Sequence, residues 1–111
     1  MFRGRSKHFL DEKGRLAIPA RFREVLQTKS DNILVLTNHD NCLWAFAHDE
    51  WKVIEENAAK LNKLDHSVTT YLRYFISGAQ ECVVKQGRIT IPPDLRQISG
   101  LKNEVVLVGG L

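Results

Sequence analysis

The stretch DEKGRLAIPARFRE, residues 11–24, decides the fold because the chain repeats its pattern further on, as VKQGRITIPPDLRQ at residues 84–97. With Gly14 aligned on Gly87, both stretches read G-R-x-x-I-P-x-x-x-R. We call residues 11–24 the first copy and residues 84–97 the second copy. Two copies are too few for a solenoid. They predict a pseudo-dimer within one chain, in which each half completes the other's hydrophobic core.

Both copies predict the same local structure. KGR and QGR are turn sequences with glycine at the flexible position. RLAI and RITI alternate in polarity, as a half-buried strand does. The prolines that follow, Pro19 and Pro92, end the strand and suit the first turn of a helix. The apolar positions predicted to face the core are Leu16, Ile18, Phe22, Val25, Leu26, Ile89, Ile91, Leu95 and Ile98.

The remaining segments predict further strands and a linking pair of helices. NILVLTN (32–38) and NEVVLVGG (103–110) are interpreted as buried strands, and CLWAFA (42–47) as the hairpin partner of the first. Asp49 and Glu50 suit the start of a helix of roughly 14 residues. Asp65 or Ser67 suits the start of a second helix, which Gly78 ends. The inward positions predicted for both helices are Trp51, Ile54, Ala58, Leu61, Val68, Leu72, Phe75 and Ile76.

Composition limits the class of protein. The 111 residues, 43% apolar and 26% charged, suffice for one compact globular unit. No apolar run approaches the ~20 residues that span a bilayer, and the basic start lacks the apolar stretch of a signal peptide. Two cysteines, Cys42 and Cys82, are too few for a disulfide framework. We expect no membrane association and a cytoplasmic location.

Positive charge collects on the segments that carry the two copies. Residues 1–29 hold eight Lys and Arg against three Asp and Glu, and residues 82–111 hold four against two. Residues 30–81 hold four against eight and are acidic. A local basic footprint of this kind indicates a polyanion partner, although an ordinary solvated surface is the alternative.

The N-terminal residues are predicted to form a strand that carries a row of cations. Side chains alternate along a strand, so Arg3, Arg5 and Lys7 would share one face at a spacing of ~7 Å, which suits a phosphate backbone. The alternative is protection of a sheet edge against aggregation. The turns of both copies add further cations. The residues predicted to contact the polyanion are Arg3, Arg5, Lys7, Lys13, Arg15, Lys85 and Arg88.

Arg15 has two interpretations. Asp11 lies four residues before it across the Gly14 turn, so a bidentate carboxylate–guanidinium pair can brace the hairpin. An arginine can equally contact O6 and N7 of a guanine. We interpret Asp11, Gly14 and Gly87 as structural residues of the motif, and Arg23 and Arg96 as structural or peripheral charges.

The opening MFRG, the motif DEKGR (11–15), IPARFRE (18–24), GRITIPPDLR (87–96) and EVVLVGG (104–110) resemble the MraZ family. The resemblance covers the whole chain and implies a bacterial transcriptional regulator. The implied fold is α+β: two swapped-hairpin AbrB-like β-barrel repeats forming an intrachain pseudo-dimer, with a linking helical pair. The resemblance also implies homo-oligomeric rings that bind repeated elements of double-stranded promoter DNA in the nucleoid, with the basic residues above as the DNA contacts.

The domain boundaries predicted from this resemblance are 1–47 for the first SpoVT-AbrB repeat, 48–80 for the linking helices and 81–111 for the second repeat. We expect the second repeat to be truncated at its C-terminal end. The family carries Asp-x-x-x-Arg in both repeats, but here the position four before Arg88 holds Val84, and the segment after Cys82 is one residue short.

Two other classes of protein remain alternatives. An enzyme would draw on pairs such as His39-Asp40 and His48-Asp49, yet the chain has no H-x-x-x-H, C-x-x-C or nucleophile motif. We therefore expect no catalytic residue, metal, cofactor or small-molecule substrate. An AbrB-like antitoxin-type module that binds another protein is the stronger alternative, although such modules usually carry a charged C-terminal tail.

Overall fold

The computed structural model describes residues 5–20, 23–24, 32–39, 42–100 and 104–108, the backbone alone at residues 5–6 and 104–108. The class is α+β, as predicted. The predicted helical positions Phe22, Val25 and Leu26 lie outside the described residues, and Arg23 and Glu24 are helical. The elements in chain order are β1 (Arg5–Phe9), β2 (Arg15–Ala17), β3 (Ile33–His39), β4 (Cys42–Ala47), α1 (His48–Ala58), α2 (His66–Tyr71), a π-helical segment (Leu72–Ile76), β5 (Gln80–Val83), β6 (Arg88–Thr90), α3 (Pro93–Ile98) and β7 (Glu104–Val108).

The strands form three small antiparallel sheets, each of which pairs a strand from the first half of the chain with a strand from the second half. β1 pairs with β7, β2 pairs with β6, and the third sheet has the order β4-β3-β5. Over the described ranges no closed barrel is formed. Each sheet therefore depends on contacts between distant parts of the sequence, which is what a pseudo-dimer within one chain requires.

The β2–β6 pair relates the two copies by an approximate twofold axis. Leu16 lies directly opposite Ile89, its own counterpart in the repeat. The N–H of Ile18 donates to the carbonyl of Gly87 at 2.8 Å, and the N–H of Ile91 donates to the carbonyl of Gly14 at 3.0 Å. Each copy thus binds the turn glycine of the other copy in the same way.

The main core lies beneath this pair. Five of the positions predicted from the repeat are buried, namely Leu16, Ile18, Ile89, Ile91 and Leu95. They pack with Leu10, Leu34, Leu36, Ala47 and Cys82. The prediction for Ile98 was wrong, since this side chain is 58% exposed. α3 ends at Ile98, and helical periodicity alone does not tell how far along a helix the core extends.

A second core lies on the other face of β3. There it packs against residues 48–76, which contain α1, α2 and the π-helical segment and which we call the helical segment. Val35 of β3 contacts Trp51 of α1 and Phe75 of the π-helical segment. Thr37, fully buried, donates its hydroxyl to the carbonyl of Phe75 at 2.7 Å. This hydrogen bond satisfies a helix carbonyl at a place where the backbone leaves the regular α pattern. β3 therefore carries core residues on both faces, which explains its continuous apolar sequence.

The helices differ from the predictions in length. α1 has 11 residues and ends at Ala58, so Leu61 lies beyond it and is 41% exposed. Asp65 rather than Ser67 caps α2, since its carboxylate accepts a hydrogen bond from the backbone N–H of Ser67 at 2.9 Å. Within the described part of the chain, no helix is long and apolar enough to cross a membrane.

One strand was missing from the sequence predictions. β5 pairs with β3, with Val83 opposite Ile33. Only Cys82 is buried among its four residues. A single buried position leaves no periodic signal, because the strand is held by backbone pairing rather than by an apolar face.

Candidate nucleic-acid interface

The β2–β6 pair has one buried face and one exposed face, and we call it the ribbon. Leu16 and Ile89 fill the core side. On the other side Arg15 lies opposite Thr90, and Arg88 lies opposite Ala17. Arg15 and Arg88 are therefore diagonal neighbours on one face, at the ~7–8 Å separation usual for such positions. The structure brings together two arginines that stand at equivalent positions of the two copies.

The first turn, Asp11–Arg15, leads into β2. The N–H of Asp11 donates to the carbonyl of Arg15 at 3.0 Å, and the N–H of Gly14 donates to the carbonyl of Asp11 at 3.0 Å. Three residues thus form the loop, and the last of them, Gly14, has φ 75°. A type I turn closed by a left-handed glycine is a common three-residue hairpin connection, which explains why the first copy has glycine here.

The carboxylate of Asp11 organises the first turn. It accepts hydrogen bonds from the N–H of Lys13 and the N–H of Arg15, both at 2.9 Å. It also accepts one from Nε of Arg15 at 2.6 Å. The backbone N–H of Arg15 foremost, and the Arg15 guanidinium beside it, hold the pKa of the Asp11 carboxyl below its usual value. The contact between the two residues that was predicted as a brace is present, and it runs through Nε of the guanidinium.

The second turn, Lys85–Arg88, leads into β6 and is one residue shorter. The N–H of Lys85 donates to the carbonyl of Arg88, and the N–H of Arg88 donates to the carbonyl of Lys85, both at 2.9 Å. The two residues between them, Gln86 and Gly87, have φ 52° and 73°, as in a type I′ turn.

The shorter turn corrects the alignment of the motif. Counting four residues back from Arg88 points to Val84, but the residue that pairs with Arg88 across the turn is Lys85. Val84 is half-buried and packs against the main core. The structural counterpart of Asp11 is therefore a lysine. In the described part of the molecule neither Lys85 nor Arg88 has an ion-pair partner, and both are exposed.

Each turn is also covered by an arginine of the other copy. A Cβ built on Gly87 would lie 2.7 Å from Nη1 of Arg23, and a Cβ on Gly14 would lie 3.0 Å from Cζ of Arg96. The guanidinium end of each arginine side chain thus packs directly against the glycine. Sequence reasoning left Arg23 and Arg96 out of the site. The signal that could have included them is that they occupy the same final position of the shared motif.

The other predicted cations are only partly placed. Lys13 is exposed at the first turn, and Lys7 is exposed on β1. Arg5 begins β1, which pairs with β7, and its side chain is outside the description, as is all of Arg3. The structure therefore gathers Lys13, Arg15, Lys85 and Arg88 around the ribbon, while the shared face predicted for Arg3, Arg5 and Lys7 stays a prediction.

The histidines considered for a metal site have other contacts. His48 lies 3.2 Å from a carboxylate oxygen of Glu81, measured from Nε2. His39 packs edge-on against Trp44 and Phe75, at 5.7 Å and 5.5 Å between ring centroids. Among the residues that the structure describes, no three His, Cys, Asp or Glu side chains are grouped so as to hold a metal.

The fold and the ribbon define a class of protein in which two copies of one motif build a single basic surface. The profile of the family described as "MraZ protein, putative antitoxin-like" matches residues 1–74. The "Transcriptional regulator MraZ" of Syntrophobacter fumaroxidans is 47% identical, over 99% of this chain and 74% of its own length. Those of Alkaliphilus metalliredigens and Natranaerobius thermophilus are 43% and 41% identical, each over 98% of this chain and 75% of theirs. The chain belongs to the MraZ family, as its motifs predicted.

Proposed function

We propose that the chain is a sequence-specific DNA-binding transcriptional regulator that binds repeated promoter elements as a homo-oligomeric ring. The observation that carries this proposal is the exposed face of the ribbon, with Arg15 and Arg88 as diagonal neighbours. The major groove of B-DNA admits a two-stranded β-ribbon, and arginine contacts to guanine are the commonest specific contacts there. The names of the relatives support a regulatory role.

Phosphate contacts would come from the lysines around the ribbon. Lys13 and Lys85 are exposed at the two turns, which lie at opposite ends of the β2–β6 pair. One lysine at each end of a short ribbon can hold the DNA backbone on both sides of the base contacts. Lys7, Arg3 and Arg5 on the N-terminal segment are proposed as additional phosphate contacts.

Bracing and base contact are compatible at Arg15. Asp11 accepts a hydrogen bond from Nε, and the two terminal amino groups of the guanidinium are not part of that bond. A carboxylate that holds one edge of a guanidinium orients the remaining donors. In this proposal Asp11 positions Arg15, and the terminal nitrogens contact the base.

The oligomer is proposed on two grounds. Each protomer offers few cations, which is too few for tight binding at cellular salt, whereas a ring repeats them along adjacent DNA elements. The helical segment also exposes large apolar side chains, with Leu64 95%, Tyr74 58% and Val53 55% exposed. Association between protomers would bury such side chains.

The finer features of the fold belong to the same proposal. The pairing of β1 with β7, β2 with β6 and β3 with β5 supports two interleaved, swapped-hairpin AbrB-like repeats. The boundaries 1–47, 48–80 and 81–111 are proposed on this basis. The protein would act in the cytoplasm at the nucleoid, and a ring that covers several promoter elements would act as a repressor by obstructing polymerase.

The decisive experiment is a gel shift with DNA from just upstream of the protein's own gene. Affinity should fall steeply between about 50 and 200 mM salt, and a duplex with one element should bind much more weakly than one with several. Light scattering on the same sample should show an oligomer. A flat salt dependence or a stable monomer at micromolar concentration would contradict the proposal.

An antitoxin-type interaction module is the second candidate, and the description of the family as "putative antitoxin-like" favours it. The exposed apolar side chains of the helical segment would then contact a different protein. Leu64→Ser and Tyr74→Ser distinguish the two functions. If the two variants no longer assemble into rings, the regulator is supported. If the variants assemble as the wild type does, and the wild type does not bind DNA, the interaction module is favoured.

A further inference from the structure

Gln86 has a left-handed backbone conformation, which a type I′ turn requires at this position and which is strained for a glutamine. Its φ is 52°, and among the described residues it is the one non-glycine residue with positive φ. Type I′ turns strongly favour Asn, Asp or Gly at this position, because these residues tolerate the left-handed region. Such outliers are concentrated at functional sites.

Among the described residues, no side-chain hydrogen bond of Gln86 offsets this strain. The side chain is exposed, and no hydrogen bond connects it to any of the residues described here. Glycine or asparagine would therefore fit the turn better than glutamine does. The amide group projects from the tip of the second turn, where it is available to a ligand.

The first turn has no equivalent of this residue. There the left-handed position is taken by Gly14, with φ 75°, and the carboxylate of Asp11 accepts hydrogen bonds from the turn. The second turn has Lys85 in place of Asp11. The side-chain amide of Gln86 is therefore flanked in the turn by two exposed cations, Lys85 and Arg88. Only the second turn combines a neutral hydrogen-bonding group at its tip with positive charge on both sides.

This combination has a specific chemistry. Lysine and arginine bind phosphate without regard to sequence, whereas a glutamine amide presents one acceptor and two donors in a plane. That pattern matches the N6 donor and the N7 acceptor of adenine in the major groove. We propose that Gln86 contacts an adenine edge while Lys85 holds a neighbouring phosphate, so that the second turn determines part of the DNA specificity. This inference rests on the proposed DNA binding.

The test uses the full chain and a DNA duplex that the wild-type protein selects from a random-sequence pool, with a random duplex as reference. Glycine and asparagine both tolerate the left-handed conformation of this turn, so the midpoint of thermal unfolding should not fall in Gln86→Gly or Gln86→Asn. Affinity of Gln86→Gly for the selected duplex should fall roughly 5- to 150-fold, which corresponds to about 1–3 kcal/mol, because the amide is removed. Affinity for the random duplex should stay the same.

Replacing adenines of the selected duplex one at a time by 7-deazaadenine locates the contact, because this base lacks N7. One position should weaken binding of the wild type and have no effect on Gln86→Gly. Gln86→Glu should shift the preference at that position from adenine to cytosine, since a carboxylate accepts from the N4 amino group.

The outcomes separate this inference from the function on which it rests. If the wild type prefers the selected duplex and Gln86→Gly keeps the same preference, the role of Gln86 is refuted while the DNA-binding function stands. The same conclusion follows if no adenine is sensitive to the N7 replacement. If the wild type binds both duplexes equally or not at all, the proposed function fails and the role of Gln86 fails with it.

Discussion

The two turns that lead into the ribbon have the same place in the repeat and opposite local chemistry. In the first turn, three residues form the loop and the Asp11 carboxylate holds the guanidinium of Arg15. In the second turn, two residues form the loop and Lys85 stands where Asp11 would be. One turn is internally neutralised and the other keeps both positive charges. The two copies thus share the β-structure of the motif and differ in their loops, because the core constrains Leu16 and Ile89 but not the exposed tips.

The largest expected effect tests what the turns share. Gly14→Ala and Gly87→Ala should each destabilise the protein by about 2–3 kcal/mol, because both positions have positive φ and each glycine is covered by an arginine. Gly100→Ala is the matched control, with φ +66° and nothing within 4 Å of a Cβ, and should cost about 1–2 kcal/mol. Chemical denaturation measures all three.

The destabilisation by Gly14→Ala beyond that of Gly100→Ala should depend on Arg96. In an Arg96→Ala background, Gly14→Ala should cost no more than Gly100→Ala, since the displaced guanidinium is gone. Equal costs at Gly14 and Gly100 in the wild-type background would show that the arginine does not pack on the turn in solution.

The next largest effect is expected when the second turn is given a carboxylate like that of the first turn. Lys85→Asp gives the second turn a carboxylate beside Arg88 and should weaken binding to every DNA sequence, with a decrease of at least about 1 in the slope of log K against log salt. Thermal stability should stay the same or rise slightly, as the new carboxylate can pair with Arg88. Lys52→Asp, on the exposed side of α1, is the charge-matched control and should leave the slope nearly unchanged.

Removing the brace should have a smaller effect on stability. Asp11→Ala leaves the N–H groups of Lys13 and Arg15 without their carboxylate partner, so the midpoint of thermal unfolding should fall, whereas Lys85→Ala should leave it unchanged. Arg15→Ala distinguishes the two roles of that residue. If Arg15 contacts a base, the ratio of the affinities for specific and random DNA should collapse in Arg15→Ala. If that ratio is unchanged while the midpoint of thermal unfolding falls, Arg15 only braces the turn.

The smallest effect is the pH dependence of the same brace. The folded state lowers the pKa of Asp11, chiefly through the backbone N–H of Arg15. Its stabilising contribution is therefore fully present above the ordinary value of 3.8 and is lost as the pH falls below it. The difference in unfolding midpoint between the wild type and Asp11→Ala should be constant near neutral pH and should shrink below that value. The Asp65 cap, whose pKa is also lowered, is common to both proteins and cancels.

Much of the architecture follows from patterns in the sequence. The repeated motif predicted that each half completes the other, and the buried positions Leu16, Ile18, Ile89 and Ile91 follow from simple alternation. The hairpin of β3 and β4 and the two helices were also foreseen. The chain did not reveal β5, the exposure of Ile98 or the early end of α1. These depend on backbone pairing and on the lateral extent of the core, neither of which has a periodic signature.

For the site, the sequence alone determined which residues are charged, where the glycines stand and that the motif occurs twice. Only the tertiary structure decided how they meet. Antiparallel pairing of two three-residue strands places Arg15 and Arg88 on one exposed face, and packing between the copies lays Arg96 on Gly14 and Arg23 on Gly87. A missing residue in the second loop puts Lys85 rather than Val84 beside Arg88. The contacts between the copies join residues far apart in the chain, and the geometry of all these contacts is set by strand register and turn length, which single-residue patterns do not encode.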